Sequence, residues 1–288
     1  MKKLLFIIGI QLMTGFSLAQ DIETKPDEIH PTGLSTQQKP IPYPFIRESD
    51  IVWSTHIWKS IHLEELFNQF FYFPTDEDHR FGKKSLADIL WDAMAAVEIP
   101  IYEDDELKIP IDNELFVIQY TKADTLLLEI GYDENDNEIY ETVIQPKYFN
   151  GWEIYSYALR ETWFIGKQDT RQDSRCIALA PIKEQSLDLP DGRKINYGLM
   201  PLFWVPMQHP AVRTLLARYA AFIDPNNMVN QPSWDWVFVN KHYNAIITRE
   251  SNIYNRSISD YLTGDDALLE SYNIEQKVLD IENGMWEY

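Results

Sequence analysis

Apolar residues recur at helical spacing near residue 90 and again in the last third of the chain. Ser85 is a predicted N-cap with an acidic residue three positions on, and it opens a segment whose apolar residues share one helical face. These residues are Leu86, Ile89, Leu90, Ala93, Met94 and Val97. Pro210, Ser233 and Asp265 are predicted to begin three further helices, the last of which should end at Gly284.

The acidic region 99–151 and the segment after it predict β-structure, in which apolar strand-like runs are separated by polar turns. Residues 126–130 and 138–144 flank a run of Asp, Glu and Asn and should form a hairpin. Further strands are predicted at residues 152–165, 175–180 and 195–205.

The order of these elements predicts one α+β domain over residues 50–288, with central antiparallel hairpins and helices at its N- and C-terminal ends. Residues 51–53 should form the first strand. Trp58, Ile61 and Leu66 favour a short helix after it, although Ile61-His62-Leu63 also alternates as in a strand. The pattern lacks the alternation of strand and helix that is typical of a doubly wound parallel sheet.

Residues 1–19 have the order of a secretory signal peptide. Lys2 and Lys3 precede a short apolar run, and Ser17 and Ala19 are small residues at the positions that signal peptidase recognises. The run is short for a membrane span, although an uncleaved N-terminal anchor is the alternative interpretation. We expect the mature chain to begin at Gln20, which cannot carry the lipid of a lipoprotein, and to be released beyond the inner membrane.

Residues 20–49 are rich in proline and are expected to form an extended arm ahead of the domain. Two interpretations are open: a disordered leader, and a segment that becomes ordered against a neighbouring subunit. Tyr43 and Phe45 supply aromatic side chains for the second interpretation.

The chain is strongly acidic, with 25 Lys and Arg residues, 45 Asp and Glu residues and a formal net charge of −20. This charge opposes binding to nucleic acid and to anionic lipid, which both depend on Lys and Arg. It suits basic protein partners or cations, and it also maintains solubility. A second apolar run of membrane-spanning length does not occur in the sequence, so we expect no direct membrane insertion.

The single cysteine, Cys176, lies in an apolar stretch and has no partner for an internal disulfide. It is therefore either a buried, inert thiol or a candidate intermolecular thiol that pairs with another chain.

The sequence patterns of common catalytic and cofactor sites do not occur. The chain has no glycine-rich phosphate loop, no G-x-S-x-G elbow and no H-x-x-x-H pair. The acidic run at 133–137 resembles the start of a calcium loop, but Glu138 and Ile144 stand where Gly and Glu are required. We therefore expect no enzyme activity, no cofactor and no metal.

Carbohydrate binding is the alternative function that the residues leave open. Trp152, Tyr155, Tyr157 and Trp163 can stack on sugars if they are exposed, and carboxylate pairs can support glycoside hydrolysis. The alternative is therefore a periplasmic carbohydrate-binding or carbohydrate-active protein.

Several ordered segments resemble the GldN/PorN family, the periplasmic gliding-motility and type IX secretion proteins of Bacteroidetes. The resemblance covers residues 50–97 and 152–288, and no pattern is assigned to residues 98–150. The segments that carry it are Asp50-Ile51-Val52-Trp53-Ser54, Phe71-Tyr72-Phe73-Pro74-Thr75-Asp76, Leu202-Phe203-Trp204-Val205, Glu250-Ser251-Asn252-Ile253-Tyr254 and Leu268-Leu269-Glu270-Ser271 with Met285-Trp286.

The resemblance implies a non-enzymatic scaffold of the secretion and gliding machinery. Family members form periplasmic rings with an outer-membrane lipoprotein, GldK/PorK, and are thought to contact the motor protein GldM/PorM. We expect this chain to associate with the outer membrane through such a lipoprotein. The candidate interface residues are Tyr43, Phe45, Trp53, Trp58, Phe71, Tyr72, Phe73, Phe203, Trp204 and Trp286.

Overall fold

An antiparallel sheet of six strands lies at the centre of the described part of the chain. The computed structural model describes residues 39–72, 84–121, 124–132, 138–145, 148–167, 171–188, 194–221, 223 and 232–285. Numbered along the chain, the strands of this sheet are β1 (Ile51–His62), β6 (Ile154–Gly166), β7 (Gln172–Asp188), β8 (Lys194–Pro201), β9 (Val205–Pro206) and β10 (Ile246–Glu250). Their spatial order is β10-β1-β6-β7-β8, and β9 pairs separately with β7.

Two smaller antiparallel pairs and the helices lie outside this sheet. The pairs are β2 (Ile101–Tyr102) with β3 (Pro110–Ile111), and β4 (Asp124–Tyr132) with β5 (Glu138–Gln145). The α-helices of the described residues are α1 (Leu86–Ala95), α2 (Asn113–Thr121), α3 (Pro210–Arg218), α4 (Trp234–Val239) and α5 (Asp265–Met285). Short 3-10 segments span Glu48–Asp50, Leu66–Phe71, Gly151–Glu153 and Ile258–Asp260. The predicted α+β class with central antiparallel hairpins is confirmed.

Two hydrophobic cores hold the helices against the large sheet. The main core joins α1, α3 and α4 to the sheet, and its side chains include Ile61, Leu90, Leu159, Leu179, Leu215, Trp234 and Val237. The C-terminal core joins α5 to β1, β6 and β10 through Ile57, Trp163, Ile247, Ile274 and Val278. Each core buries the apolar stripe of an amphipathic helix, as the sequence spacing indicates.

The predicted N-caps Ser85 and Ser233 are present, whereas the predicted end of the last helix at Gly284 is wrong, because α5 continues through Gly284 to Met285. Ser85 Oγ accepts a hydrogen bond from the Asp88 N–H (3.2 Å) and donates to its carboxylate (2.6 Å), and Ser233 caps α4 through the N–H three residues on. The buried face of α1 holds the expected residues Leu86, Ile89, Leu90, Ala93 and Met94. The helix ends at Ala95, so Val97 lies beyond it, with a positive φ of 57°.

The predicted short helix after the first strand is wrong. β1 continues through Trp58 and Ile61 to His62, and Leu66 instead begins a 3-10 segment. β1 pairs with β6 on one side and with β10 on the other. These distant strands satisfy the backbone groups of β1, which the local apolar spacing cannot reveal.

Helix α2 lies in the region for which only β-structure was expected. Its apolar residues do not gather on one face, and Asn113 is its one buried residue. The Asn113 side chain donates to the carbonyl oxygens of Met94 (2.8 Å) and Ile99 (2.9 Å). This polar contact fixes the start of α2 against the end of α1. A helix that is held by a tertiary hydrogen bond cannot be recognised from an amphipathic pattern in the sequence.

A charged pair is buried in the sheet where the two cores meet. Glu161 of β6 is 1% exposed, and its carboxylate lies 3.3 Å from the Lys59 ammonium of β1. It accepts hydrogen bonds from Trp163 Nε1 (2.7 Å) and Tyr243 Oη (2.8 Å). Burial by itself raises the pKa of Glu161, but Lys59 and the two hydrogen bonds outweigh it and hold the pKa below its ordinary value. The folded protein therefore favours the ionised carboxylate.

Gly151 permits a close approach between the segment before β6 and the start of α1. Its N–H donates to Asp88 Oδ1 at 3.0 Å. A Cβ at position 151 would lie 2.6 Å from both Asp88 Oδ1 and Ser85 Oγ, which is far inside contact distance. This position therefore requires glycine because of the space around it.

Replacing Gly151 with alanine should lower the free energy of unfolding by about 1–3 kcal/mol, because the added methyl group has to displace the cap of α1. Urea unfolding followed by tryptophan fluorescence measures the change. Gly284→Ala is the matched control, since a Cβ at that position of α5 meets nothing within 4 Å. The control should stabilise the protein by about 0.5–1 kcal/mol. Equal stability of the two variants would contradict the expected clash.

Glu161→Gln should destabilise the protein by about 3–5 kcal/mol at pH 7, because it leaves the Lys59 charge without its buried partner. The pKa of Glu161 is depressed in the folded state, so its contribution is full above the unfolded-state pKa of about 4.3 and is lost as pH falls through the folded-state pKa. The difference between wild type and variant should therefore shrink in acid. Urea titrations at several pH values measure it.

The double variant Lys59→Met with Glu161→Gln is the control for this experiment. It removes both charges together, so it should cost less than Glu161→Gln alone. A single variant that is as stable as wild type at neutral pH would show that the pair does not contribute to folding.

Candidate functional site

Two large apolar side chains are exposed to solvent on the loop that follows β10. We call residues 251–256 the apolar loop; in it Ile253 is 97% exposed and Tyr254 is 74% exposed. The Asn252 side chain braces the loop from inside. Its Oδ1 accepts from the N–H groups of Tyr254 (3.1 Å) and Arg256 (3.0 Å), and its Nδ2 donates to two backbone carbonyl oxygens at 2.8 Å each. The loop therefore has a defined shape although its apolar side chains have no cover.

Arg249 connects the apolar loop to the sheet. Its Nη1 donates to Asn255 Oδ1 (2.9 Å), and its Nη2 donates to Asp105 Oδ2 (2.5 Å). The guanidinium lies 3.7 Å from the centre of the Trp58 ring, and Trp58 Nε1 donates to the same Asp105 oxygen at 2.5 Å. These contacts fix the base of the loop to β1 and to the segment between β2 and β3.

An open groove with a volume of about 690 Å³ lies beyond the other end of β1. We call it the aromatic groove. Its apolar walls include Leu63, Trp152, Tyr155 and Leu199, of which the last three are exposed. A groove of this volume, with apolar walls and a few polar groups, has the dimensions of a ligand or peptide site.

Three carboxylates give the aromatic groove its charge. Glu153 forms an ion pair with Lys183, whereas Glu64 and Glu184 have no ion-pair partner among the described residues. A hydrogen bond from Tyr155 to Glu64, and the charge of that carboxylate, raise the pKa of Tyr155. The groove therefore presents apolar surface together with uncompensated negative charge, which suits a cationic and apolar partner.

The structure places three of the predicted interface aromatics inside the protein. Phe71 and Phe203 are buried in the main core, and Phe71 packs beside Tyr157 and Trp234. Trp204 is buried in a small cluster next to β7, and its backbone pairs with that of Tyr102. In this conformation these residues supply packing and offer no surface to a partner.

The other predicted aromatics have mixed positions. Trp53 packs partly against the C-terminal core, Trp58 lies beneath Arg249, and Tyr72 lines the aromatic groove. Phe73 and Trp286 lie outside the described residues. Of this group, Tyr72 is the one that borders a candidate surface.

The end of the proline-rich arm docks on the domain of its own chain. The Ile41 N–H donates to Asp235 Oδ2 (2.7 Å), and Arg213 donates both to the Ile41 carbonyl oxygen (2.5 Å) and to the Asp235 carboxylate (3.0 Å). Tyr43 lies with its ring centre 4.5 Å from the Arg213 guanidinium, whereas Phe45 extends into solvent. Residues 41–43 are thus fixed to α3 and α4, and Phe45 is the aromatic residue of the arm that a partner can reach.

Cys176 is buried and reduced. Its side chain belongs to the main core and is 4% exposed. Burial raises the pKa of the thiol well above its ordinary value, and the nearby Glu161 charge adds to this effect. The thiol cannot reach another chain unless the core opens, so the structure favours the buried interpretation over the intermolecular one.

The described residues contain no group of three or more His, Cys, Asp or Glu side chains arranged to hold a metal ion. In the same ranges, no helix combines the length and the apolar character that a membrane crossing requires. The acidic run at 133–137 falls outside them.

The four aromatics considered for sugar stacking separate into two pairs. Trp152 and Tyr155 line the aromatic groove, whereas Tyr157 and Trp163 are buried. Sequence reasoning did not select Ile253, although the surrounding motif was part of the resemblance. The sequence feature that could have identified Ile253 as exposed is an apolar pair flanked by Asn residues in a short polar turn.

A family model matches most of the chain. The family model described as "Gliding motility associated protein GldN" matches residues 46–287. The match includes residues 98–150, for which no pattern could be assigned from the sequence, as well as the apolar loop and the walls of the aromatic groove. A search of curated proteins found no match.

The Cys176 thiol should react slowly with DTNB in the folded protein and rapidly in guanidinium chloride, because only the exposed thiolate is a good nucleophile. Absorbance of the released thiol product measures both rates. Ser251→Cys in a Cys176→Ser background places a thiol on the exposed loop and should react rapidly in the folded state. Rapid reaction of native Cys176, or a non-reducing gel band that Cys176→Ser removes, would overturn the buried assignment.

Proposed function

The chain belongs to the GldN family of gliding-motility-associated proteins, and from this premise we propose that it is a non-enzymatic structural component of the periplasmic type IX secretion and gliding machinery. The observation that carries the proposal is the family match, which spans nearly the whole folded domain at residues 46–287. Two well-formed surfaces of the domain, the apolar loop and the aromatic groove, are suited to subunit contacts.

In this proposal the protein forms a ring together with a GldK/PorK-like outer-membrane lipoprotein. In this arrangement the lipoprotein supplies the membrane attachment. A GldM/PorM-like motor protein contacts the ring from the periplasm. The net charge of −20 favours basic surfaces on both partners.

In such a ring the proline-rich arm is fixed at its C-terminal end to its own protomer. Ile41 and Tyr43 fix the end of the arm to α3 and α4 of the same protomer. Within the described part of the arm, Phe45 is therefore the exposed aromatic residue that can contact a neighbouring subunit.

Co-expression of the mature chain with the GldK/PorK-like lipoprotein of the same genome should yield a stable complex of high mass. A tag on this chain should recover the lipoprotein, and negative-stain microscopy should show rings. An unrelated outer-membrane lipoprotein expressed in the same way is the control and should not co-purify. Recovery of this chain as a lone monomer in the presence of the lipoprotein would refute the proposal.

A further inference from the structure

We propose that the apolar loop of one copy of this chain inserts into the aromatic groove of the next copy. The inference rests on the proposed ring, and it names the two surfaces that join neighbouring copies. Ile253 and Tyr254 are the inserting side chains, and the exposed walls Trp152, Tyr155 and Leu199 receive them.

The two surfaces are complementary in hydrophobicity and in charge. The apolar loop exposes two large apolar side chains, and the groove leaves about half of the Trp152 and Leu199 side chains exposed (55% and 51%). Arg256 is exposed next to Tyr254, and its guanidinium has no ion pair among the described residues. The groove holds Glu64 and Glu184 without ion-pair partners, so insertion of the loop brings opposite charges together.

The apolar loop is organised before it binds. The four hydrogen bonds of Asn252 and the link from Arg249 to Asn255 set its conformation in the free chain. A preformed loop loses less conformational entropy when it docks, which favours its use as a contact. An exposed isoleucine on a loop of this kind has no packing role within its own domain.

The positions of the loop and the groove require that the contact joins two copies. Glu250, the last residue of β10, lies opposite Ile57 of β1, whereas the groove begins at Leu63. Six residues of strand separate these points, a span of about 20 Å at the rise of an antiparallel strand. The remaining walls of the groove lie farther across the sheet on β6 to β8.

A contact between two different surfaces is a head-to-tail contact. Repetition of such a contact gives a closed ring when the rotation between copies closes, and a filament when it does not. The same loop and groove therefore serve every junction between copies, with one free loop and one free groove at the ends of any incomplete assembly.

Disulfide trapping tests the contact directly in the complex with the lipoprotein. Tyr254→Cys and Leu199→Cys are introduced together in a Cys176→Ser background, and the assembled complex is oxidised. A ladder of cross-linked chains is expected on a non-reducing gel. A mixture of the two single-cysteine chains should give dimers and no larger species, because each junction then uses one cysteine from each chain.

Tyr148→Cys combined with Leu199→Cys is the matched control. Tyr148 is 72% exposed, close to the 74% of Tyr254, but it belongs to neither the loop nor the groove lining. This pair should give no ladder. A ladder of the same intensity as that from Tyr254→Cys would show that the trapping is unspecific and would overturn the proposal.

Charge reversal supplies a second measurement that does not depend on cysteine. Arg256→Glu and Glu184→Arg should each weaken association between copies by about tenfold or more, and the chain that carries both should recover much of the loss. Thermal unfolding of each variant confirms that the domain stays folded, as expected for exposed side chains. Unchanged association in both single variants contradicts the proposal.

The outcomes separate this inference from the proposed function. Co-purification with the lipoprotein together with the absence of any ladder would overturn the contact and leave the scaffold role intact. Failure to join the lipoprotein at all would refute the proposed function itself. Binding of peptidoglycan fragments in the groove, abolished by Trp152→Ala and accompanied by no cross-link, would replace the second copy with a glycan as the occupant.

Discussion

The buried pair of Lys59 and Glu161 is the constraint on which the arrangement of the sheet depends. It lies between the main core and the C-terminal core, and it joins β1, β6 and the segment that holds Tyr243. Removing two charges from water is unfavourable unless each finds its partner. A shift of β1 by one residue would turn Lys59 to the opposite face and leave Glu161 alone in the interior, so the pair specifies the register of the central strands.

The fold could be predicted where its signals are local. The caps at Ser85 and Ser233 and the apolar stripe of α1 depend on residues within one or two turns, and the two strands of the β4–β5 hairpin flank a polar run in the sequence. The extent of β1 could not be predicted, because its pairing partners β6 and β10 are about a hundred residues or more away. Helix α2 was missed for a related reason, since the side chain of Asn113 positions it through a tertiary hydrogen bond.

The candidate surfaces were harder to find from the sequence than the fold. A dense aromatic run such as the one around Phe71 is equally compatible with a core and with an interface, and the structure buries Phe71 completely. The exposed pair Ile253 and Tyr254 occurs where aromatic residues are sparse. Exposure depends on what the rest of the chain covers, so residue type alone cannot assign it. The polar bracing by Asn252 is the more informative local signal, because it explains how such side chains stay in solvent.

Arg213 and Asp235 form a clamp around Ile41, which has a consequence for a force applied to the chain ahead of it. A pull on the chain ahead of Lys39 reaches the hydrogen bonds of Ile41 first, and these pass the force to α3 and α4. The first strand, which begins ten residues after Ile41 at Ile51, is shielded from that force while the clamp holds. If the arm joins subunits as proposed, tension in it would be carried by this clamp before it reached β1, so that the stiffness of the arm and the integrity of the domain would be separate properties.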